Sequence, residues 1–103
     1  MGETEQVFTF SRPVLLVGGG ACDAGLLRAY ATRGYALVAA DGGAEHIAAC
    51  DLVPELIIGD LDSLQDRQTW SEKAKVIEIS EQDTTDFEKC LYTTQAPHYL
   101  ALG

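Results

Sequence analysis

Two carboxylates one residue apart, Asp60 and Asp62, stand directly after the apolar run Leu56-Ile57-Ile58 and Gly59. Like charges this close repel one another, and at the end of a buried strand they are costly unless something positive sits beside them. A divalent metal carrying a nucleotide phosphate meets both demands. Mg²⁺ takes one or two carboxylates and fills the rest of its octahedron with water and phosphate oxygens. Asp60 and Asp62 lie on one tight loop and could share such an ion. Asp86, in the first turn of an expected helix, could supply a third ligand, and Asp41 could orient a metal-bound water.

Three other short stretches carry the same kind of chemistry: Gly18-Gly19-Gly20, Asp41-Gly42-Gly43, and Gln82-Asp83-Thr84-Thr85-Asp86. Glycines let backbone N–H groups approach phosphates closely. Each stretch also has a plainer reading. The glycine triplet fails the dinucleotide fingerprint, because Asp23 stands where the third Gly belongs. It fails the P-loop pattern too, because Leu26-Leu27 replaces Lys-Ser/Thr, so a bare strand-to-helix turn fits it at least as well. Asp41 could be a turn residue before Gly-Gly. Asp86 could be only a favourable charge at a helix start. His46 and His98 read as surface or packing residues, and Trp70 and Tyr30 as core.

The elements that must hold these loops follow from the pattern. Pro13-Val14-Leu15-Leu16-Val17 and Tyr35 to Ala40 are continuous apolar runs, as strands covered on both faces should be. Leu56-Ile57-Ile58, Val76 to Ile79 and His98 to Leu102 complete a set of five, with a possible extra strand at Val7 to Phe10. Between them lie helical segments. Asp23 can cap the first, whose stripe is Leu26, Leu27, Tyr30 and Ala31 and whose stop is Gly34. A short helix spans roughly 44–50. Ser63 with Asp66, and Thr85 with Glu88, resemble capping boxes for helices at roughly 65–74 and beyond 85. The last of these should turn Phe87, Leu91 and Cys90 inward, with Pro97 closing it. Strand and helix alternate with no hairpin signal, which predicts an α/β fold. The expected form is a Rossmann-like, open, mostly parallel sheet of about five strands with helices on both faces. Residues 1–12 form a polar lead-in and 13–103 one domain.

Such a sheet gathers the C-terminal ends of its strands at one edge, where ligands bind. The glycine and carboxylate loops all fall at that edge. The opposite loops, around Gly34, Leu52-Val53 and Ala96-Pro97, carry little of either. This asymmetry is the strongest pattern in the sequence.

Bulk properties narrow the function further. The 103 residues make one domain, and 47% hydrophobic with 22% charged residues is ordinary globular composition, not a disordered tract. A net charge of −9 repels nucleic-acid phosphates. From residue 53 onward there are ten acidic and four basic residues, an excess that reads in part as solvated surface and in part as a metal site whose cations offset it. No apolar run approaches the roughly 18 residues of a membrane span, and the acidic N-terminus is not a secretory signal. Three cysteines, Cys22, Cys50 and Cys90, cannot pair fully and match no zinc spacing. They read as reduced thiols of a cytoplasmic protein.

Asp41-Gly42-Gly43-Ala44, then Ile58-Gly59-Asp60-Leu61-Asp62-Ser63, then Gln82 to Leu91 closely resemble thiamine pyrophosphokinases in order and spacing, over about Val14 to Gly103. The resemblance implies an enzyme of the cytoplasm that uses ATP and Mg²⁺ to convert thiamine to thiamine diphosphate with release of AMP. Asp60, Asp62 and Asp86 match the family's catalytic and metal-binding acids. Gln82 and Thr85 match positions lining its ATP site, and Asp41 matches the acid of its Asp-Gly-Gly loop; Gly19, Gly20, Gly42, Gly43, Ser63 and Asp83, from the loops described above, are the further candidate nucleotide-binding residues. Glu45 departs from the family's frequent Asn. In the family, a glycine-rich segment with Arg, further helices and a thiamine-binding β-sandwich follow, and the enzyme is a homodimer. On that ground the chain is expected to be the ATP- and Mg²⁺-binding part of a longer protein and inactive alone.

Two other classes compete. A haloacid-dehalogenase-like phosphatase also uses Asp-x-Asp after a strand, but normally after the first strand rather than the third. A non-enzymatic, receiver-like or nucleotide-sensing domain would use one Asp without producing AMP.

Overall fold

A continuous apolar strand is stable only if both of its faces are covered, and three consecutive strands here meet that condition. The computed structural model describes residues 8–20, 23–40, 42–59, 74–78, 90–91 and 94–102. In chain order the elements are β1 (Phe8–Thr9), β2 (Val14–Val17), α1 (Ala24–Thr32), β3 (Ala36–Ala40), α2 (Gly43–Ala49), β4 (Leu56–Gly59), β5 (Lys75–Glu78), β6 (Thr94–Gln95) and β7 (Tyr99–Leu102). Five strands form one sheet in the order β5-β4-β3-β2-β7, and every pairing is parallel. The expected α/β class, with its five-stranded parallel sheet, is the observed one.

Side-chain alternation divides each strand between two apolar layers. Leu15 and Val17 of β2, Leu37 and Ala39 of β3, and Ile57 of β4 pack with Leu27 of α1 and with Ala44 and Ile47 of α2. Val14, Leu16, Ala36, Val38, Ala40, Leu56 and Ile58 point the other way and pack with Cys90, which has helical backbone. Helices α1 and α2 therefore cover one face, and Cys90 lies on the other. Connection handedness explains the division. The chain steps from β2 to β3 to β4 in one direction, and right-handed crossovers keep α1 and α2 on one face. The return from β5 to β7, on the far side of β2, reverses direction, and Cys90 lies on the opposite face.

Local signals account for the boundaries. The Asp23 carboxylate accepts hydrogen bonds from the N–H groups of Gly25 (2.8 Å) and Leu26 (3.1 Å) and so caps α1. Gly34 ends that segment at φ +93°, where a Cβ would be strained. Asp51, at φ 61°, plays the same part after α2. Tyr30 and Tyr35 make an edge-to-face pair at 5.0 Å and line the core layer, as expected for Tyr30. Cys50 and Cys90 are buried.

Several expectations shift. Leu26 is 46% exposed, whereas Leu27 is fully buried. Adjacent helical positions differ by about 100°, so the inward stripe is Leu27, Tyr30 and Ala31, and Leu26 falls on its flank. The same geometry separates Cys90, at 0% exposure, from Leu91, at 46%. Leu91 therefore faces outward. Strand β5 begins one residue earlier than expected, at Lys75. Strand β7 begins at Tyr99, although the His98 carbonyl already accepts from Val14 N–H at 2.9 Å. The pattern missed β6, which pairs in parallel with β1 as a separate two-stranded unit. Phe8 and Phe10 from that region pack against the Cys90-side layer. Trp70, Cys22, the capping boxes at Ser63 and Thr85, and Phe87 lie outside the described residues.

Candidate functional site

All five strands are parallel, so β2, β3, β4, β5 and β7 end at one edge. The chain leaves that edge into Gly18-Gly19-Gly20 after β2, residue 41 and Gly42-Gly43 after β3, and residue 60 after β4. Three of the four expected loops therefore begin at one edge, and the fourth, Gln82 to Asp86, lies outside the described residues. Of the expected site residues, Gly19, Gly20, Gly42 and Gly43 are described, and the structure brings Gly19 together with Gly42. Asp41, Asp60, Asp62, Ser63, Gln82, Asp83, Thr85 and Asp86 lie outside the described residues. Among the described residues, no three His, Cys, Asp or Glu side chains converge as metal ligands.

The glycines have different duties. A Cβ on Gly43 would stand 1.8 Å from the Val17 carbonyl oxygen and 3.1 Å from that of Gly18. Only a residue without a side chain lets α2 begin against the end of β2. Gly19 is exposed, and a Cβ there would meet Gly42 at an ordinary 3.7 Å. Packing does not require Gly19 to be glycine. Gly18 is buried, and its N–H donates to the Leu102 carbonyl at 2.8 Å, tying the turn to the end of β7. Gly59 closes β4 at φ +149°, a backbone state open to glycine and not to most residues, immediately before Asp60.

The N-terminus of α1 is already occupied. Asp23 takes two of its N–H groups with a carboxylate that would also repel a phosphate. The glycine turn differs in this respect from a P-loop, where the helix start itself receives the anion. The failed match to that motif therefore has a structural counterpart.

Sequence reasoning missed two features of this edge. First, β2 is the strand at which the order reverses, with β3 on one side and β7 on the other. Open α/β sheets bind ligands in the crevice at such a point. It lies two strands from β4, about 10 Å away at the usual strand spacing. The strand pairing order sets this position, and no local motif announces it. Second, His46, expected as a surface or packing residue, is half-buried and has a partner the sequence did not single out: its Nε2 lies 3.4 Å from the Gly19 carbonyl oxygen. Its position four residues after Gly42, in the first turns of α2, was the only available signal.

The hard oxygen donors of Asp60, Asp62 and Asp86 suit Mg²⁺ or a similar cation, not a soft metal. No helix among the described residues is long and apolar enough to cross a membrane.

Comparison with known proteins agrees with this geometry. Residues 27–99 match the family model described as "Thiamin pyrophosphokinase, catalytic domain". Among solved structures, the thiamin pyrophosphokinase of Candida albicans is 25% identical with a TM-score of 0.65, covering 84% of this chain and 33% of that one. A thiamin pyrophosphokinase family protein from Enterococcus faecalis is 29% identical with a TM-score of 0.58, covering 79% of this chain and 39% of that one. The chain thus spans between a third and two fifths of these relatives. No curated protein matches it. The phosphatase and non-enzymatic alternatives find no support here. A match over most of the chain, on a sheet with the same fold, shows that the chain belongs to the thiamin pyrophosphokinase catalytic-domain family.

Proposed function

We propose that this chain is the ATP- and Mg²⁺-binding part of a thiamine diphosphokinase. The observation that carries the reading is the coincidence of the family match over residues 27–99 with one sheet edge, into which the glycine turns and the strand preceding Asp60 all open. In the proposed reaction the thiamine hydroxyl oxygen attacks the β-phosphorus of ATP. A bond forms between that oxygen and the β-phosphorus, and the bond from the β-phosphorus to the α,β-bridging oxygen breaks. The hydroxyl proton is lost, AMP departs, and thiamine diphosphate remains.

Such a transfer depends on positioning and on charge neutralisation more than on covalent chemistry by the protein. Asp60, Asp62 and Asp86 are the residues that would hold Mg²⁺, and the bound ion would supply neutralisation of the polyphosphate charge. Gly19, Gly20, Gly42 and Gly43 would let the backbone approach the phosphates. Asp41, Ser63, Gln82, Asp83 and Thr85 would line the nucleotide around them.

The thiamine contacts, the homodimer and the completed active centre belong in this reading to the whole protein. The piece by itself forms little product. A cytoplasmic setting belongs to the same reading, as the family resemblance implies. The test is incubation of the whole protein with thiamine, ATP and Mg²⁺, followed by nucleotide and thiamine-ester analysis. Equal amounts of AMP and thiamine diphosphate are expected. Release of ADP, or of inorganic phosphate without AMP, would refute the reading.

A further inference from the structure

His46 is half-buried on α2, and its Nε2 faces the Gly19 carbonyl oxygen at 3.4 Å. A carbonyl can only accept, so Nε2 carries the proton in this contact. Two further contacts join the same surfaces. Gly43 lets α2 start against the carbonyls of Val17 and Gly18, and Gly19 rests on the backbone of Gly42. The turn after β2 and the start of α2 are therefore one packed unit, and His46 is its side-chain tie. Gly19 itself is exposed, with room for a Cβ, so no close packing fixes its side.

We propose that His46 is a positioning residue which, by donating from Nε2 to the Gly19 carbonyl, holds the Gly18–Gly20 turn in the conformation that receives the polyphosphate of the nucleotide. The inference rests on the ATP-binding reading above. It assigns His46 no contact with substrate: the side chain acts through Gly19. It also gives the histidine a role distinct from that of Gly43, which sets how closely helix and strand approach.

The test compares His46→Phe and His46→Ala, which remove the donor, with His46→Gln, which keeps an N–H. Each is made in the whole protein and titrated calorimetrically with Mg-ATP and separately with adenosine. The two loss variants should weaken Mg-ATP binding about three- to tenfold, the range of one net hydrogen bond. Adenosine affinity should stay within about twofold, and His46→Gln should bind both ligands within about twofold of wild type. Unchanged Mg-ATP affinity in a folded loss variant would overturn the proposal. So would a parallel loss of both ligands with a lowered melting temperature and no recovery in His46→Gln, the signature of a merely structural role. AMP release by the wild-type protein is assayed separately. A protein that binds Mg-ATP but forms no AMP with thiamine would lose the enzymatic reading, while the histidine comparison would still decide this one.

Discussion

The two edges of the sheet are built by different means. At the N-terminal edge, side chains close the structure. Arg12 pairs with Glu55 and donates to the Gly34 carbonyl, linking the residues before β2, after α1 and before β4. Arg33 lies over the Tyr30 ring, 5.5 Å from its centroid, and Tyr30 meets Tyr35 edge to face. At the C-terminal edge, the described contacts are mostly backbone. Gly43 sits against Val17 and Gly18, Gly18 is tied to Leu102, and Gly19 rests on Gly42. Charges at the first edge have protein partners. The acids that follow β4 in sequence are proposed to find theirs in a metal and a nucleotide. The N-terminal edge is closed by side chains, and the C-terminal edge is the one proposed to receive the ligand.

This contrast is most directly challenged at the acids. Asp60→Asn or Asp62→Asn in the whole enzyme should reduce thiamine diphosphate formation about 10²–10³-fold, the scale for loss of one strong electrostatic contact in phosphoryl transfer. Melting temperature should not fall, since each change removes a mutually repelling charge. Near-wild-type turnover in both variants would abolish the functional half of the comparison.

Gly43→Ala probes the backbone construction of the same edge. A Cβ 1.8 Å from a backbone oxygen cannot be accommodated by rotating a side chain. The variant should lose about 3 kcal/mol of stability or more, at the upper end of overpacking effects, read as a lower urea midpoint. A stable Gly43→Ala protein would show that α2 can stand off β2. At the other edge, Gly34→Ala should cost about 1–2 kcal/mol, from φ +93° alone, because nothing lies within 4 Å of the added atom. Activity per folded molecule should be unchanged there.

The smallest effect belongs to the surface ion pair. Arg12 and Glu55 are 47% and 40% exposed, so screening by solvent leaves little net energy. Glu55→Gln should change stability by less than about 1 kcal/mol, an effect diminished further by salt, and should leave nucleotide binding alone. A large loss of activity in this variant would blur the division between the edges.

Much of this protein was fixed by its sequence. Unbroken apolar runs at Val14–Val17 and Ala36–Ala40 required strands covered on both faces, and alternation with helices required a parallel sheet. Asp23 and Gly34 marked the limits of α1 through the local chemistry of caps. The ordered motifs around Asp41, Asp60 and Asp86 carried the family resemblance without any structure. Tertiary structure decided the rest. Leu26 and Leu91 are as apolar as Leu27, yet only contact with the sheet selects which of two adjacent helical positions is buried. The short β1–β6 pair has too few residues to leave a periodic signal. The reversal of strand order at β2, the closeness of Gly43 to Val17, and the reach of His46 to Gly19 depend on how strands far apart in sequence lie side by side. Local propensity and periodicity act over a few residues, whereas these contacts are set only when the whole sheet closes its order.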